Sequence, residues 1–377
     1  MSELRAIEAA LARHPDVADV VVAARSSGAD ERPWAWVVPR DAARGGTPHR
    51  LPSGLMVFHL NQNETDHLYH QIFDDLIYLR HGIAVPDEAC ILDIGANIGL
   101  FTLFAHTCCE RPRIIAFEPS PPAFERLRRN AEHYGLAIEA EPCAVSDREG
   151  AAAFTIYPRA SVMSGLFADP AEEERLFRTF AAEQLRGEAD PELIADVVDE
   201  MAEGRFAVEV VERPLCTVSS ALRERGIARV DLLKVDAEKS ELGVFAGIAA
   251  EDWAGILQVT VEVHSDGWVA EVVALLEQQG FTVFAEQDST MHATGIHHVY
   301  ARRPRPTDGR IWHDRPWRTL QAAAAPRRAP TGAEPLCDSL RELLRRNLPG
   351  AQMPAGFTFL ERLPRLGDGK VDRAALS

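Results

Sequence analysis

Two groups of residues in this chain have the types and spacing that chemistry requires. The first is Asp93-Ile94-Gly95-Ala96-Asn97-Ile98-Gly99, fed by the apolar run Cys90-Ile91-Leu92. Glycines 95 and 99 fall where a strand turns into a helix. Small residues there let a ligand approach the backbone, and the first helical turn offers unpaired N–H groups. About twenty residues further on, Phe117-Glu118-Pro119 ends the next apolar run with an acid, the interval at which a carboxylate reaches ribose hydroxyls. A dinucleotide would require Gly-x-Gly-x-x-Gly. The form here is Asp-x-Gly-x-x-x-Gly, which suits S-adenosylmethionine: its amino and sulfonium groups are cationic, and it has no pyrophosphate to cradle.

The second group lies at two later strand ends. Lys234, Asp236 and Glu238 alternate, as do Glu262 and His264 in Thr260-Val261-Glu262-Val263-His264. Period two places each set on one face of its strand. Methyl transfer is an in-line displacement that gains rate from positioning, and a hydroxyl acceptor also needs a base. Asp236 is expected beside the methyl group. His264, with an ordinary pKa of ~6.5, is the best-matched base. The alternative is an ion pair of Lys234 with an acid, Glu262 among the candidates, that only closes the sheet end, because unpaired charge on core strands is costly. His264 then has a structural role too.

The elements that must position these groups are readable from periodicity. Strands are expected over 90–94, 113–117, 137–144, 206–211, 230–235, 256–263, 281–284 and 297–301, with helices from Gly99 and Pro121 between them. Alternation at this spacing argues an α/β fold with a mostly parallel sheet and helices on both faces. Residues 161–205 interrupt it with an acidic helical insertion, either a lid or a surface helix pair. Leu4, Ile7 and Leu11 mark a helix ending at His14-Pro15, and strands are expected over 17–24 and 35–38. Residues 41–52 read as a linker, as do 304–333, which are rich in Pro, Arg and Ala; a helix over 336–348 and a strand over 357–360 follow.

Composition narrows the function. A net charge of −17 argues against nucleic acid, which needs clustered Lys and Arg. No apolar run reaches the ~18 residues of a membrane span, and Met1-Ser2-Glu3-Leu4-Arg5 enters an amphipathic helix rather than a signal peptide. The six cysteines show no paired metal spacing, so no metal is expected. The expected location is cytoplasmic.

Asp93 to Gly99, Phe117-Glu118-Pro119, Ala144-Val145-Ser146-Asp147 and Leu233-Lys234-Val235-Asp236-Ala237-Glu238 occur in the order seen in FkbM-type methyltransferases. Together with Asn63-Glu64-Thr65 and Ile77-Tyr78-Leu79, the resemblance covers residues 52–303. It implies a class I Rossmann-like enzyme using S-adenosyl-L-methionine, mostly toward oxygen. By that resemblance Asp93, Gly95, Asn97 and Gly99 hold the amino acid part of the cofactor, and Glu118 takes the ribose. Ser146 and Asp147 flank the adenine, and Tyr78 and Pro119 join the cofactor set. Lys239 stands where the family usually carries glycine.

Residues 1–41 and 334–377 resemble the mobile C-terminal subdomain of nonribosomal peptide synthetase adenylation domains, whose lysine loop looks like Gly367-Asp368-Gly369-Lys370-Val371-Asp372-Arg373. The two ends are expected to form one small α+β unit around Leu4, Ile7, Val20, Val22, Leu340, Leu344 and Phe359. Such interrupted adenylation domains methylate groups tethered to a carrier protein. The resemblance therefore implies a phosphopantetheinylated carrier as partner, and an adenylation core if the chain is part of a larger synthetase. Three readings stand open: an O-methyltransferase acting on a tethered aminoacyl or peptidyl group, an N-methyltransferase acting on its α-amine, and an inactive carrier-docking module.

Overall fold

A computed structural model describes residues 3–14, 16–27, 30–39, 48–185, 190–287, 295–323, 333–348, 353–360, 363–365 and 370–373. Pro15 and Gly367 to Gly369 lie outside them. The chain forms two compact units, one of residues 50–323 and one of residues 1–49 with 324–377.

The larger unit contains, in chain order, α1 (Gln62–Tyr69), β1 (Cys90–Ile94), α2 (Leu100–Cys108), β2 (Arg113–Phe117), α3 (Pro121–His133), β3 (Ile138–Glu141), β4 (Ala144–Val145) and β5 (Gly150–Ile156). It continues with α4 (Pro170–Gln184), α5 (Pro191–Ala202), β6 (Glu209–Cys216), α6 (Val218–Glu224), β7 (Leu232–Val235), α7 (Glu241–Ala246), β8 (Gln258–Val263), α8 (Asp266–Gln278), β9 (Thr282–Glu286) and β10 (His297–Arg302). Seven strands form one sheet in the order β9-β10-β8-β7-β1-β2-β3, and only β10 runs antiparallel to its neighbours. Its central strands are apolar on both sides because helices cover both faces. Leu100, Leu103 and Phe104 of α2 pack in one cluster, and Val244, Phe245, Val272 and Leu276 pack in the other. From β1 the chain first builds toward β3 and later returns to the other side with β7. The switch point between β1 and β7 leaves a crevice at the strands' carboxyl ends.

Three expectations change. The strand expected over 137–144 divides at Pro142, which has no N–H for the ladder; β3 stays in the main sheet and β4 leaves it. The strand expected over 206–211 lies at 209–216 and belongs to a separate three-stranded sheet, antiparallel to β5 and parallel to β4. All its residues but Leu215 are exposed or half-buried, unlike the buried central strands. β5 escapes periodicity because Gly-Ala-Ala-Ala is a poor strand former, and tertiary pairing supplies its stability. The unit also runs past residue 303. Trp312-His313 pairs with Val85-Pro86, Arg310 bonds Asp231 at 2.6 Å, and the Trp317 indole donates to the Cys108 carbonyl.

In the smaller unit, strands Val17–Ser27 and Asp30–Pro39 pair antiparallel, and Gly356–Phe359 adds in parallel with Phe357 opposite Ala35. Helices Glu3–Leu11 and Ala333–Asn347 bury Ile7, Leu11, Leu340 and Leu344 against Val20 and Val22, with Leu4 and Phe359 at the margin. Arg373 reaches Glu8 at 3.2 Å and Arg365 reaches Asp19 at 2.6 Å, so residues far apart in sequence close the unit. Lys370 is exposed. Among the described residues, no helix is long and apolar enough to cross a membrane.

Candidate active site

The crevice is a cavity of about 370 Å³, walled at one end by the β1–α2 loop and at the other by the ends of β7 and β8. Its size lies within the usual small-ligand range.

Gly95 is indispensable to the loop. Its φ is +71°, and a Cβ there would lie 1.7 Å from the Asp236 carbonyl oxygen. Asn97 takes φ +48°, and its side-chain oxygen accepts from the Ile98 N–H at 2.7 Å, a local bond that makes the left-handed turn tolerable. The Asn97 N–H donates to Glu118 at 2.8 Å, and the Ser120 N–H donates to the other Glu118 oxygen at 2.7 Å. Glu118 is therefore fixed by backbone alone, facing the cavity. Burial pushes its carboxyl up to about 7 despite these bonds. Pro119 and Tyr78 also line the cavity.

Four residues expected at the cofactor do not line this cavity. Asp93 is fully buried and off the cavity wall. The parallel register sets it opposite Lys234, whose Nζ lies 3.3 Å away, and Thr102 donates to it at 2.8 Å. Gly99 turns α2 with φ +88°, and a Cβ there would meet the Leu127 side chain at 2.7 Å, so it serves helix packing. Ser146 and Asp147 hydrogen-bond each other beside the site, and Cys143, Ala144 and Val145 form the wall instead. Those apolar residues carry no polar signal that a sequence reading could detect.

Lys234 lines the cavity and braces it. Its ammonium donates to the Gly95 carbonyl at 2.8 Å and lies 3.6 Å from Asp236. Burial would strip its proton, but Asp93 and Asp236 hold its pKa above the usual lysine value. The ion-pair reading of Lys234 is thus realised with Asp93, not Glu262, and the pair ties two strand ends to the loop. Asp236 accepts from the Tyr78 hydroxyl at 2.9 Å, and burial beside Glu262 raises its pKa.

His264 departs from the expected base. Its Nδ1 lies 2.8 Å from Glu241, and its Nε2 lies 3.3 Å from both Glu238 and Glu262. Burial favours the neutral ring, yet Glu238 and Glu241 hold the pKa well above the usual histidine value. The carboxylates around it favour the protonated ring, which works against a role as proton acceptor. Only the tertiary structure brings Glu241 there, from the first turn of α7. Burial pushes Glu238 up to about 7; it would raise Glu262 too, but His264 and His298 bring that carboxyl down to about 2.

The insertion supplies another wall. Leu176, Phe177 and Phe180 of α4 face the cavity, and Arg205 stacks over Phe177 at 4.5 Å while pairing with Glu64 at 3.4 Å. Lys239 fastens α4: its Nζ donates to Glu172 and Glu173, both at 2.8 Å. Its φ is +68°, which accounts for the glycine expected there. Glu173, Phe177, Phe180 and Arg205 had no motif to announce them.

The family model "Methyltransferase FkbM domain" matches residues 93–283. "31-O-demethyl-FK506 methyltransferase FkbM" of Streptomyces tacrolimicus is 45% identical over 67% of this chain and 96% of its own length. The chain belongs to the FkbM methyltransferase family. The family's enzymes are methyltransferases, and membership implies S-adenosyl-L-methionine as methyl donor. The chain is also similar to part of a synthetase. "AMB antimetabolite synthetase AmbE" of Pseudomonas aeruginosa PAO1 is 35% identical over 99% of this chain, which spans 18% of that protein's length. "Isonitrile lipopeptide synthase" of Streptomyces coeruleorubidus is 46% identical over 48 residues, 13% of this chain and 3% of its own.

Proposed function

We propose that this chain is an O-methyltransferase that modifies a hydroxyl or carboxyl oxygen of an aminoacyl or peptidyl group tethered to a carrier protein, in nonribosomal peptide biosynthesis. The observation that carries the reading is a single cavity with the glycine loop and Glu118 at one end and Asp236, Glu238 and Glu262 at the other. The donor set fits the cofactor. Glu118 has lone pairs left for ribose hydroxyls after its two backbone bonds. Residues 95–98, Pro119, Tyr78 and the apolar wall at 143–145 would hold the remainder. S-adenosylmethionine supplies an electrophilic methyl group when bound.

The chain's own residues set up the acceptor. Lys234 fixes Asp236 and the Gly95 carbonyl, and Tyr78 orients Asp236 by its hydroxyl. His264 aligns Glu238 and Glu262, each 3.3 Å from its Nε2, and the carboxylates facing the cavity take the acceptor's proton. Phe177 and Phe180 add apolar wall to the cavity. The oxygen acceptor is supported by the relative whose name contains "31-O-demethyl". The tether is supported by similarity to a synthetase along nearly the whole chain, and by the resemblance of residues 1–41 and 334–377 to an adenylation subdomain. A tether raises effective concentration to the millimolar range, so the acceptor itself need not bind tightly.

The test offers the enzyme and cofactor a free amino acid, its pantetheine thioester and the loaded carrier, and locates the methyl group by fragment mass spectrometry. Equal efficiency on all three overturns the tether. A methyl group on nitrogen overturns the oxygen acceptor.

A further inference from the structure

The acid cluster at the acceptor end contains more than a proton relay needs. One oxygen each of Asp236 and Glu262 and one ring nitrogen of His264 lie within 4.8 Å of one another, in the cavity wall. They come from the ends of two adjacent parallel strands, β7 and β8, which is rigid support for a ligand set. The His264 side chain is 6% exposed, so its nitrogen is held in place rather than solvated.

Two further features match a ligand site. The other His264 nitrogen sits 2.8 Å from Glu241, a fully buried carboxylate. A carboxylate on the far nitrogen is the usual arrangement behind a ligating histidine, where it fixes the ring and the tautomer. Charge also points the same way. Asp93, Asp236, Glu238, Glu241 and Glu262 surround Lys234 and His264, with His298 3.7 Å from Glu262. Five carboxyl groups thus face three basic side chains, a lining whose oxygens attract a cation.

We infer that Asp236, Glu262 and His264 form a binding site for one divalent cation. Two carboxylate oxygens and one imidazole nitrogen suit a hard to borderline ion such as Mn2+, with Mg2+ and Zn2+ as competitors. Three protein ligands leave positions open toward the cavity. A hydroxyl oxygen bound there would become more acidic by direct polarisation. This role rests on the oxygen-acceptor reading above; the site itself does not. The cysteine spacing that argued against a metal is blind to such a set, because its ligands come from different strands.

The experiment titrates Mn2+ into the full chain without any acceptor and follows free Mn2+ by electron paramagnetic resonance. The expected result is one bound ion per chain, with nitrogen coupling from one histidine in the pulsed spectrum and a melting temperature that rises with Mn2+. Asp236→Asn and Glu262→Gln should each weaken binding at least about tenfold, and Glu241→Gln about tenfold through the ring nitrogen. If a variant fails to fold, the nitrogen coupling and melting shift of the unmodified chain decide the matter. Absence of bound Mn2+, Mg2+ and Zn2+ at millimolar concentration, or a bound ion without nitrogen coupling, overturns the site. Because no acceptor is present, either result leaves the methyl-transfer reading to its own test.

Discussion

Lys239 holds its ammonium 2.8 Å from Glu173, across the gap between the loop after β7 and helix α4, while its own backbone sits at φ +68°. A glycine would adopt that backbone freely but could not make the clasp. Lys239→Ala keeps the strain and loses the ion pair, leaving Glu173 buried without its cation. It should cost about 2 kcal/mol, whereas Lys239→Gly should cost less because the strain, about 1 kcal/mol, is relieved. Thermal unfolding compares the two, and limited proteolysis within 170–202 should accelerate in both.

Gly95→Ala should weaken cofactor capture severely. Its Cβ would collide with the Asp236 carbonyl, so the loop must move by more than an ångström. A loop displaced that far should bind the cofactor roughly 100-fold more weakly, about 3 kcal/mol. Calorimetry with S-adenosylmethionine measures it, and affinity within threefold of the unmodified protein would contradict the loop's assignment.

Glu118 sets a pH dependence whose sign is opposite for stability and for binding. Burial raises its folded pKa from 4.5 to about 7. The folded state then holds a proton that the unfolded state has lost, so this contribution to stability is full below pH 4.5 and is lost as pH rises to about 7. Its full size is about 3 kcal/mol. Cofactor affinity should move the other way, falling below pH 7 as the carboxylate that accepts ribose hydroxyls becomes protonated. Chemical denaturation without cofactor between pH 5 and 8 checks the first effect, and Glu118→Gln should flatten it.

His264→Ala should lower stability by about 3 kcal/mol or more, because it leaves Glu241, fully buried, without its cation. A histidine acting only as a base would affect rate and leave the unfolding midpoint in place. Denaturant titration separates the two.

Leu340→Ala should unfold the smaller unit selectively. Leu340 is fully buried in its core, and truncation there costs about 3 kcal/mol. Calorimetric scans should show that transition shift while cofactor affinity in the larger unit is unchanged.

The amino-acid sequence by itself determined the main-sheet strands β1, β2 and β7 to β10, the glycine loop and Glu118, because these rest on local periodicity and short-range spacing. It also determined that the two ends share one apolar set, since each end carries its own helical or alternating pattern. What it could not determine was partnership. Asp93 reads as a cofactor ligand until the parallel register sets it opposite Lys234. His264 reads as a base until α7 brings Glu241 to its ring. Lys239 reads as a departure from glycine until α4 presents Glu172 and Glu173. A side chain's charge state and role depend on the groups within a few ångströms, and those come from strands and helices that only the folded chain places side by side.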